Sequence, residues 1–384
     1  MLICHFCRDA WDDLQVMSRH HLARALSRYA PNAFVTEPGH LKNALKSVRA
    51  FFEPTRVKMP HPNLIVPILS PWYGKVYSKG YLHQIQLHRR MKRLKKIVQP
   101  WSQPLVLYIW HPCFEPYLGF LEESLVVYHL HDEFLQYGAK ESERRETERM
   151  EKILLSRADL LIVNGPVLAR KKNLDRKWVN CPSAVAYSLF AGDEIDLTAR
   201  PPEFLSDGPI VGYYGTFNAK FDFGFLLAVA QKLTDYRIVL AGCLNINDQD
   251  QALWQRIIDL DNILYLGHRR LDEIARYTWH TDVGIMCYRN TGWARYGFPI
   301  KLFELLAAGK PIVSTTLESL LEYKEFIDLR DNPEEFAAAV VNNCRDFSAQ
   351  EKFRRIELAK MNSWEVRAQT VFDAIMQKLP GNKL

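Results

Sequence analysis

Residues 298 to 314 read Phe-Pro-Ile-Lys-Leu-Phe-Glu-Leu-Leu-Ala-Ala-Gly-Lys-Pro-Ile-Val-Ser. A helical pattern from Ile300 to Ala308 gives way to a strand candidate from Pro311 to Thr315. Lys301 and Glu304, three residues apart at the start of that helix, share one face, while Phe303, Leu306 and Ala307 supply packing. A helix start that offers amides and an ammonium group suits a diphosphate, and a nearby carboxylate suits ribose hydroxyls. The same two residues also read as a simple surface pair.

Outward from this stretch the alternation of strand and helix continues. From Gly208 onward, strand candidates at Ile210 to Tyr214, Arg237 to Ala241, Ile263 to Leu266 and Val283 to Tyr288 are separated by helical patterns at Phe223 to Leu233, Gln251 to Leu260 and Leu271 to His280. Strands spaced by helices of this length form a parallel sheet covered on both faces, with ligands at the carboxyl ends of the strands. The first half reads the same way. A strand at Leu2 to Cys7 precedes a helix from about Asp12 to Ser27, then come strands at Leu105 to Ile109, Leu125 to His129 and Asp159 to Val163. A charged helix spans about Lys140 to Arg157, and Asn180 to Phe190 reads as a last strand and turn. Ala191 to Gly208, with Asp193, Glu194, Pro201 and Pro202, has linker composition. The fold class is therefore α/β: two Rossmann-like doubly wound domains, at residues 1–195 and 206–362, facing across a cleft. A tail at 363–384 carries an amphipathic helix, Trp364 to Leu379, able to cross back onto the first domain.

With 384 residues, 48% hydrophobic and 24% charged, the chain is large enough for two ordinary domains and is not a disordered one. No apolar run approaches the roughly 18 to 20 residues of a membrane span. The amino terminus reads as a buried strand rather than a secretion signal, which makes the cytoplasm the expected location. Seven cysteines agree with a reducing compartment. Cys4 and Cys7 form a CxxC, but strand periodicity sends them to opposite faces and no second Cys or His pair stands near, so no metal is expected there.

The net charge of +6 is unevenly spread, because residues 1 to 200 carry 29 Lys and Arg against 20 Asp and Glu. The densest part holds six cations in eight positions: Arg89, Arg90, Lys92, Arg93, Lys95 and Lys96. Leu87, Met91, Leu94 and Val98 fall at helical spacing among them, so this is a basic amphipathic helix, expected to face an anionic membrane surface. A solvated face is the plainer alternative. No zinc-finger spacing, basic zipper or RNA-binding aromatic signature accompanies the charge, which excludes nucleic acid as the expected partner.

His129, His131 and Asp132 cluster at the end of an apolar strand, where a doubly wound domain puts its chemistry. An aspartate is ionised at neutral pH and can take a proton from a hydroxyl, which makes Asp132 the candidate base; it also reads as a cap of the following helix. The two histidines would share a strand face, so a turn near Leu130 decides which reaches the site. His111, Asp9, Asp12 and Asp13 are further candidates by location.

The 298–314 stretch resembles the carboxyl-domain signature of GT-B glycosyltransferases, of the group 1 or family 4 kind, in which a Pro-x-Lys-x-x-Glu helix and an Ala-x-Gly-x-Pro-Val run hold a nucleotide diphosphosugar. Val211-Gly-Tyr-Tyr-Gly-Thr-Phe217 with Lys220 and Asp222, Val239-Leu-Ala-Gly242 and Tyr265-Leu-Gly-His268 resemble the other strand ends of that domain. Trp11-Asp-Asp, Val127-Tyr-His-Leu-His-Asp-Glu-Phe134, Ala158-Asp-Leu-Leu-Ile-Val163 and Tyr187-Ser-Leu-Phe190 occupy the places of the acceptor domain. The resemblance implies that Lys301 neutralises the diphosphate leaving group, with Gly215, Thr216 and Lys220 as further donors. It also implies that Glu304 accepts from ribose and that backbone around His268 and Arg269 reads the base. Retaining members commonly carry a Glu eight residues before the position of Glu304; here that residue is Tyr296. The Val-Tyr-x-x-x-Asp pattern ending at Asp132 is similar to the inverting glucuronosyltransferase of xanthan-type polysaccharide assembly, which works on lipid-linked acceptors.

The resemblance thus implies a peripheral enzyme of the inner membrane face that moves a hexosyl or uronosyl group from a UDP- or GDP-sugar to a glycan or lipid-linked acceptor in cell-surface polysaccharide synthesis. Inversion with Asp132 as base is preferred. Asp248 with Asp250, and Asp259 with Asp261, have Asp-x-Asp spacing, but they lie in a polar loop and at a helix end, so no metal and no other cofactor is expected. A retaining enzyme of the same fold, a sugar-nucleotide epimerase and a non-catalytic donor-binding subunit are the alternatives.

Overall fold

The computed structural model describes residues 1–12, 16–37, 39, 54–74, 80–101, 103–136, 140–193, 196–204, 208–292, 294–345 and 348–379; Asp13 and Glu194 lie outside them. The chain forms two units. The first comprises residues 1–164, 173–181 and those from 367 on, and the second residues 165–172 and 182–366.

In the first unit the strands are β1 (Leu2–Cys7), β2 (Asn32–Thr36), β3 (Arg56–His61), β4 (Leu64–Ile68), β5 (Leu105–Ile109), β6 (Leu125–Leu130), β7 (Leu160–Val163) and β8 (Val179–Asn180). Their order is β3-β4-β2-β1-β5-β6-β7-β8, parallel throughout except for the β3–β4 pair. Both faces of β1 and β5 are buried, as a sheet covered by helices on each side requires. Helices α1 (Ser18–Leu26), α2 (Tyr81–Val98) and α3 (Glu141–Arg157) belong to this unit. The order reverses direction between β1 and β5, and crevices that take ligands form at such a point.

Strands β2 to β4 have no counterpart among the strands expected from sequence. The predicted strand at Asn180 to Phe190 is instead the two-residue β8 followed, in the second unit, by α5 (Tyr187–Ala191). Before that comes the short α4 (Pro166–Lys171).

Along α2 the burial corrects one assignment. Arg90, expected at a membrane, is 4% exposed and shares the inner face with Leu87, Met91, Leu94 and Val98. Its Nε donates to the Tyr73 carbonyl at 2.7 Å and its Nη1 to the Tyr117 hydroxyl at 2.6 Å. The cause is helical geometry: Arg90 stands three residues after Leu87 and four before Leu94, so the apolar face includes it. Arg89, Lys92 and Lys96 are exposed, Arg93 is half-buried, and Lys95 pairs with Glu122 at 2.6 Å. Among the described residues no helix is long and apolar enough to cross a membrane.

In the second unit, β9 (Ile210–Tyr214), β10 (Arg237–Ala241), β11 (Ile263–Tyr265), β12 (Val283–Met286), β13 (Ile312–Ser314) and β14 (Asp328–Leu329) form an all-parallel sheet in the order β11-β10-β9-β12-β13-β14. This is the doubly wound order, with its reversal between β9 and β12, where Gly212 pairs with Gly284. Besides α4 and α5, its helices are α6 (Phe223–Ala230), α7 (Asp248–Ile258), α8 (Leu271–Trp279), α9 (Lys301–Ala307), α10 (Pro333–Arg345) and α11 (Ala349–Met361), and α12 (Trp364–Lys378) follows.

The expected linker is less loose than its composition. Leu197 and Phe204 are buried in the second unit, and Phe204 stacks on Tyr277 with centroids 5.2 Å apart. The stretch from Pro182 on, read as part of the first domain up to 195, falls in the second unit, as do residues 165–172. Helix α12 begins in the second unit and from Arg367 belongs to the first, where Phe372 stacks on Tyr29 at 5.1 Å.

Candidate functional site

Two groups of residues, one in each unit, stand at strand carboxyl ends. In the second unit Gly215, Gly242 and Gly267 follow β9, β10 and β11. Their backbones stack: Gly215 N–H donates to Ala241 at 2.7 Å and Gly242 N–H to Gly267 at 2.8 Å. A Cβ on Gly242 would stand 1.9 Å from the Gly215 carbonyl oxygen, so the approach admits no side chain there. Above it, Lys301 on α9 lies against Gly215, with its Nζ 5.1 Å from the centre of the Tyr213 ring.

Lys301 and Glu304 line a common small pocket together with Gly212, Tyr214, Thr278, Ile285 and Leu305. Glu304 is 9% exposed, and burial pushes its carboxyl up to about 7 while the Lys301 ammonium pulls it down. Near neutral pH this side chain can therefore either donate or accept. Lys220 lies over Gly297: a Cβ on that glycine would stand 3.2 Å from its Nζ. Thr216 offers its carbonyl to the Tyr213 hydroxyl at 3.3 Å.

Further along the strand ends, His268 Nδ1 lies 3.2 Å from Cys243 Sγ. The Arg269 side chain turns away to a clasp. Its Nε donates to the Tyr277 hydroxyl at 3.2 Å and its Nη1 to the His268 carbonyl at 3.1 Å, while Tyr277 donates to Glu203 at 3.1 Å. Arg269 thus holds Tyr277 of α8, which in turn ties that helix to the segment before β9. Asp248 and Asp250, read as a polar loop, fall in the first turn of α7, where Asp250 is buried and paired with Arg289 at 2.6 Å. Among the described residues no group of three or more His, Cys, Asp or Glu gathers as a metal would need. At Tyr296, Lys171 Nζ and the Arg295 guanidinium lie 5.6 and 5.5 Å from the ring centre.

In the first unit β6 ends at Leu130, which separates the two histidines. His129 remains inside the strand, 3% exposed and stacked on Trp110 at 4.1 Å. Its Nδ1 bonds the Tyr108 hydroxyl at 2.8 Å and the ring also bonds the Cys181 backbone, while burial holds its proton affinity well below the usual value. His129 is therefore a neutral core group, which corrects its reading as catalytic. Beyond the strand end, Asp132 accepts the Glu133 N–H at 2.9 Å. His131 is held by its carbonyl, which accepts from Asn164 at 3.0 Å, and by its ring, where Arg19 Nη1 is 3.3 Å from Nε2.

Of the other located candidates, Asp9 pairs with Arg19, Asp12 with Lys58 at 2.5 Å, and His111 Nδ1 accepts the Cys113 N–H at 3.1 Å as a turn cap. Arg19 is absent from the candidates that the sequence suggests. A signal exists: it precedes Leu22, Ala23 and Leu26 by three, four and seven residues, which puts a cation on the buried face of α1.

Known proteins share the sequence pattern of the second domain and the fold of the chain. Residues 208–346 match the family model "Glycosyl transferases group 1". A curated relative, the putative teichuronic acid biosynthesis glycosyltransferase TuaH of Bacillus subtilis (strain 168), is 28% identical over 244 residues, and the match spans 58% of each protein. Among solved structures, sucrose-phosphate synthase from Thermosynechococcus elongatus superposes with a TM-score of 0.69 at 15% identity, covering 98% of both chains. The trehalose 6-phosphate synthase of Burkholderia multivorans gives 0.66 at 12%, again over 98% of both. The chain accordingly has the GT-B fold, its second domain matches the group 1 glycosyltransferases, and as a whole it is similar to the GT-B glycosyltransferases.

Proposed function

We propose that the chain transfers a hexosyl or uronosyl group from a UDP- or GDP-sugar to a glycan or lipid-linked acceptor in cell-surface polysaccharide synthesis. Residues 206–362 hold the donor and residues 1–195 the acceptor. The observation that carries the reading is the placement of Lys301 across Gly215 with Glu304 beside it, at the reversal point of a doubly wound sheet. An ammonium held there before the substrate arrives meets the charge that develops on a departing diphosphate, and preorganised groups of this kind are the main source of rate enhancement in many transfers. Gly215, Thr216 and Lys220 supply the nearby backbone and second cation, and Glu304 the ribose contact. His268, beside Cys243, stands at the base end.

Asp132 takes the proton of the acceptor hydroxyl, and a single in-line displacement inverts the anomeric centre. Tyr296, with cations over its ring where retaining members commonly carry a carboxylate, supports inversion over retention. Cationic side chains do the work of a metal. Arg89, Lys92 and Lys96 on α2 hold the chain at the inner face of an anionic membrane, where a lipid-linked acceptor resides.

Thermal unfolding in the presence of UDP-, GDP- and dTDP-sugars tests donor binding, because a ligand selective for the folded state raises the midpoint. One of them should do so in the native chain and not in Lys301→Ala. Labelled donor incubated alone distinguishes the reactions: conversion of the sugar without acceptor would identify an epimerase and overturn transfer.

A further inference from the structure

His131 meets Arg19 of α1 at its Nε2 and His129 of β6 edge-on, Arg19 in turn pairs with Asp9 after β1, and Asp132 and Glu133 adjoin His131 in the chain. Arg19 is 8% exposed and ion-paired with Asp9, and it points Nη1 at His131 Nε2 from 3.3 Å. We propose that Arg19 is a positioning residue of the acceptor site: anchored by Asp9, it fixes His131 as the neutral ring protonated on Nδ1, so that His131 is not the base.

The chemistry of a guanidinium dictates this tautomer. Arginine is always charged and offers only donors. Facing Arg19, Nε2 of His131 must therefore present its lone pair. A neutral imidazole has one ring proton, which then resides on Nδ1. An imidazolium would set an N–H against an N–H and a cation against a cation, in a place where Arg19 has almost no water to screen it.

The consequence for proton transfer is direct. The Nε2 lone pair is occupied by Arg19 and Nδ1 already carries a proton, so neither nitrogen can take one from a hydroxyl. Toward any group it meets through Nδ1 the ring is a donor. The ring cannot readily swing out of this arrangement. Asn164 holds the His131 carbonyl at 3.0 Å, and Trp110 and Phe134 meet the ring edge-on, with centroids 5.7 and 5.1 Å away. The pair Asp9 and Arg19 thus orders the residue next to the candidate base from a different strand end.

The functional meaning of this tautomer rests on the acceptor-site reading above, but its test does not. Long-range proton–nitrogen correlation spectra of the full chain, labelled with nitrogen-15 histidine, report the tautomer of each ring; His131→Asn identifies the His131 signals. At pH 7.5 the native chain should show His131 protonated on Nδ1 with an unprotonated Nε2. An Nε2-protonated ring or an imidazolium would overturn the proposal whether or not the chain transfers sugar. Arg19→Met should lose the fixed tautomer and Arg19→Lys should keep it, since the ammonium is also only a donor. Should Arg19→Met not fold, the native spectrum together with Arg19→Lys decides. In a transfer assay Arg19→Met should reduce kcat by on the order of tenfold to a hundredfold, as misplacement of a site group does, with the donor-induced rise in the unfolding midpoint unchanged. An unaltered kcat with an altered tautomer would overturn the positioning role and leave the transfer reading intact.

Discussion

Lys301 lies so closely over Gly215 that a Cβ on the glycine would stand 2.0 Å from its Cε and 2.1 Å from its Nζ. One methyl group at residue 215 therefore displaces the ammonium from this position without removing it from the chain. Gly215→Ala should cost the chain its donor-induced stabilisation nearly as fully as Lys301→Ala, and turnover should fall about a hundredfold, the loss of roughly 3 kcal/mol typical of one donor to developing charge. Titration calorimetry with UDP and GDP checks it; undiminished affinity in Gly215→Ala would mean that Lys301 does not act from this position.

Burial gives Glu304 a signature in stability. Its carboxyl titrates near 7 in the folded chain against an ordinary 4.5, so between those values the folded state holds a proton that the unfolded state has released. Stability is then full below pH 4.5 and declines as pH rises through 7, by up to about 3 kcal/mol at 1.36 kcal/mol per pKa unit. Glu304→Gln removes the dependence. Its unfolding midpoint should match the native chain near pH 4.5 and exceed it at pH 8, while donor affinity falls. Parallel denaturation curves at the two pH values decide the matter, and equal differences at both would refute the buried-carboxylate account.

The contrast between Lys301 and His129 explains how much of the site could be read from sequence. Strands β1, β5, β9 and β10 fall on the residues that their apolar runs indicate, because each is buried on both faces and needs no partner to be recognised. Strands β3 and β4 escape such a reading. The exposed Arg56–Met59 run and Pro67 obscure a strand pattern, and pairing orders them, β4 with β2 and β3 with β4. Lys301 and Glu304 sit on one helix at a spacing that fixes their common face. His129 and His131, two residues apart, differ only because β6 ends between them and Trp110 and Tyr108 enclose the first. That enclosure is tertiary and has no local signature.

Asp132 and His129 should accordingly separate in their effects. Asp132→Asn should retain donor binding and the native unfolding midpoint, yet lose transfer by about 10² to 10⁴, the range of a general base. His129→Phe keeps an aromatic ring against Trp110 but strands the Tyr108 hydroxyl, a loss of about 1 to 3 kcal/mol of stability. Activity measured well below its lowered midpoint should remain near native. A His129→Phe chain that is stable but inactive would return that ring to the chemistry.

Helix α2 gives a similar separation between charge that faces out and charge that faces in. Arg89, Lys92 and Lys96 fall at spacings of three and four and are exposed, so they can approach a lipid surface together. At about 1 kcal/mol for each cation near an anionic leaflet, their joint change to Gln should weaken binding to phosphatidylserine-containing vesicles by roughly a hundredfold, with the unfolding midpoint preserved. Arg90→Gln should act in the opposite way, because it breaks the buried bonds to Tyr73 and Tyr117 while leaving the outer face intact. Its midpoint should fall and its vesicle binding should persist. Raising salt should weaken the native interaction as screening shortens to about 3 Å at 1 M. Vesicle co-sedimentation of both variants in low and high salt makes the comparison, and a triple variant that sediments like the native chain would leave α2 as a solvated face.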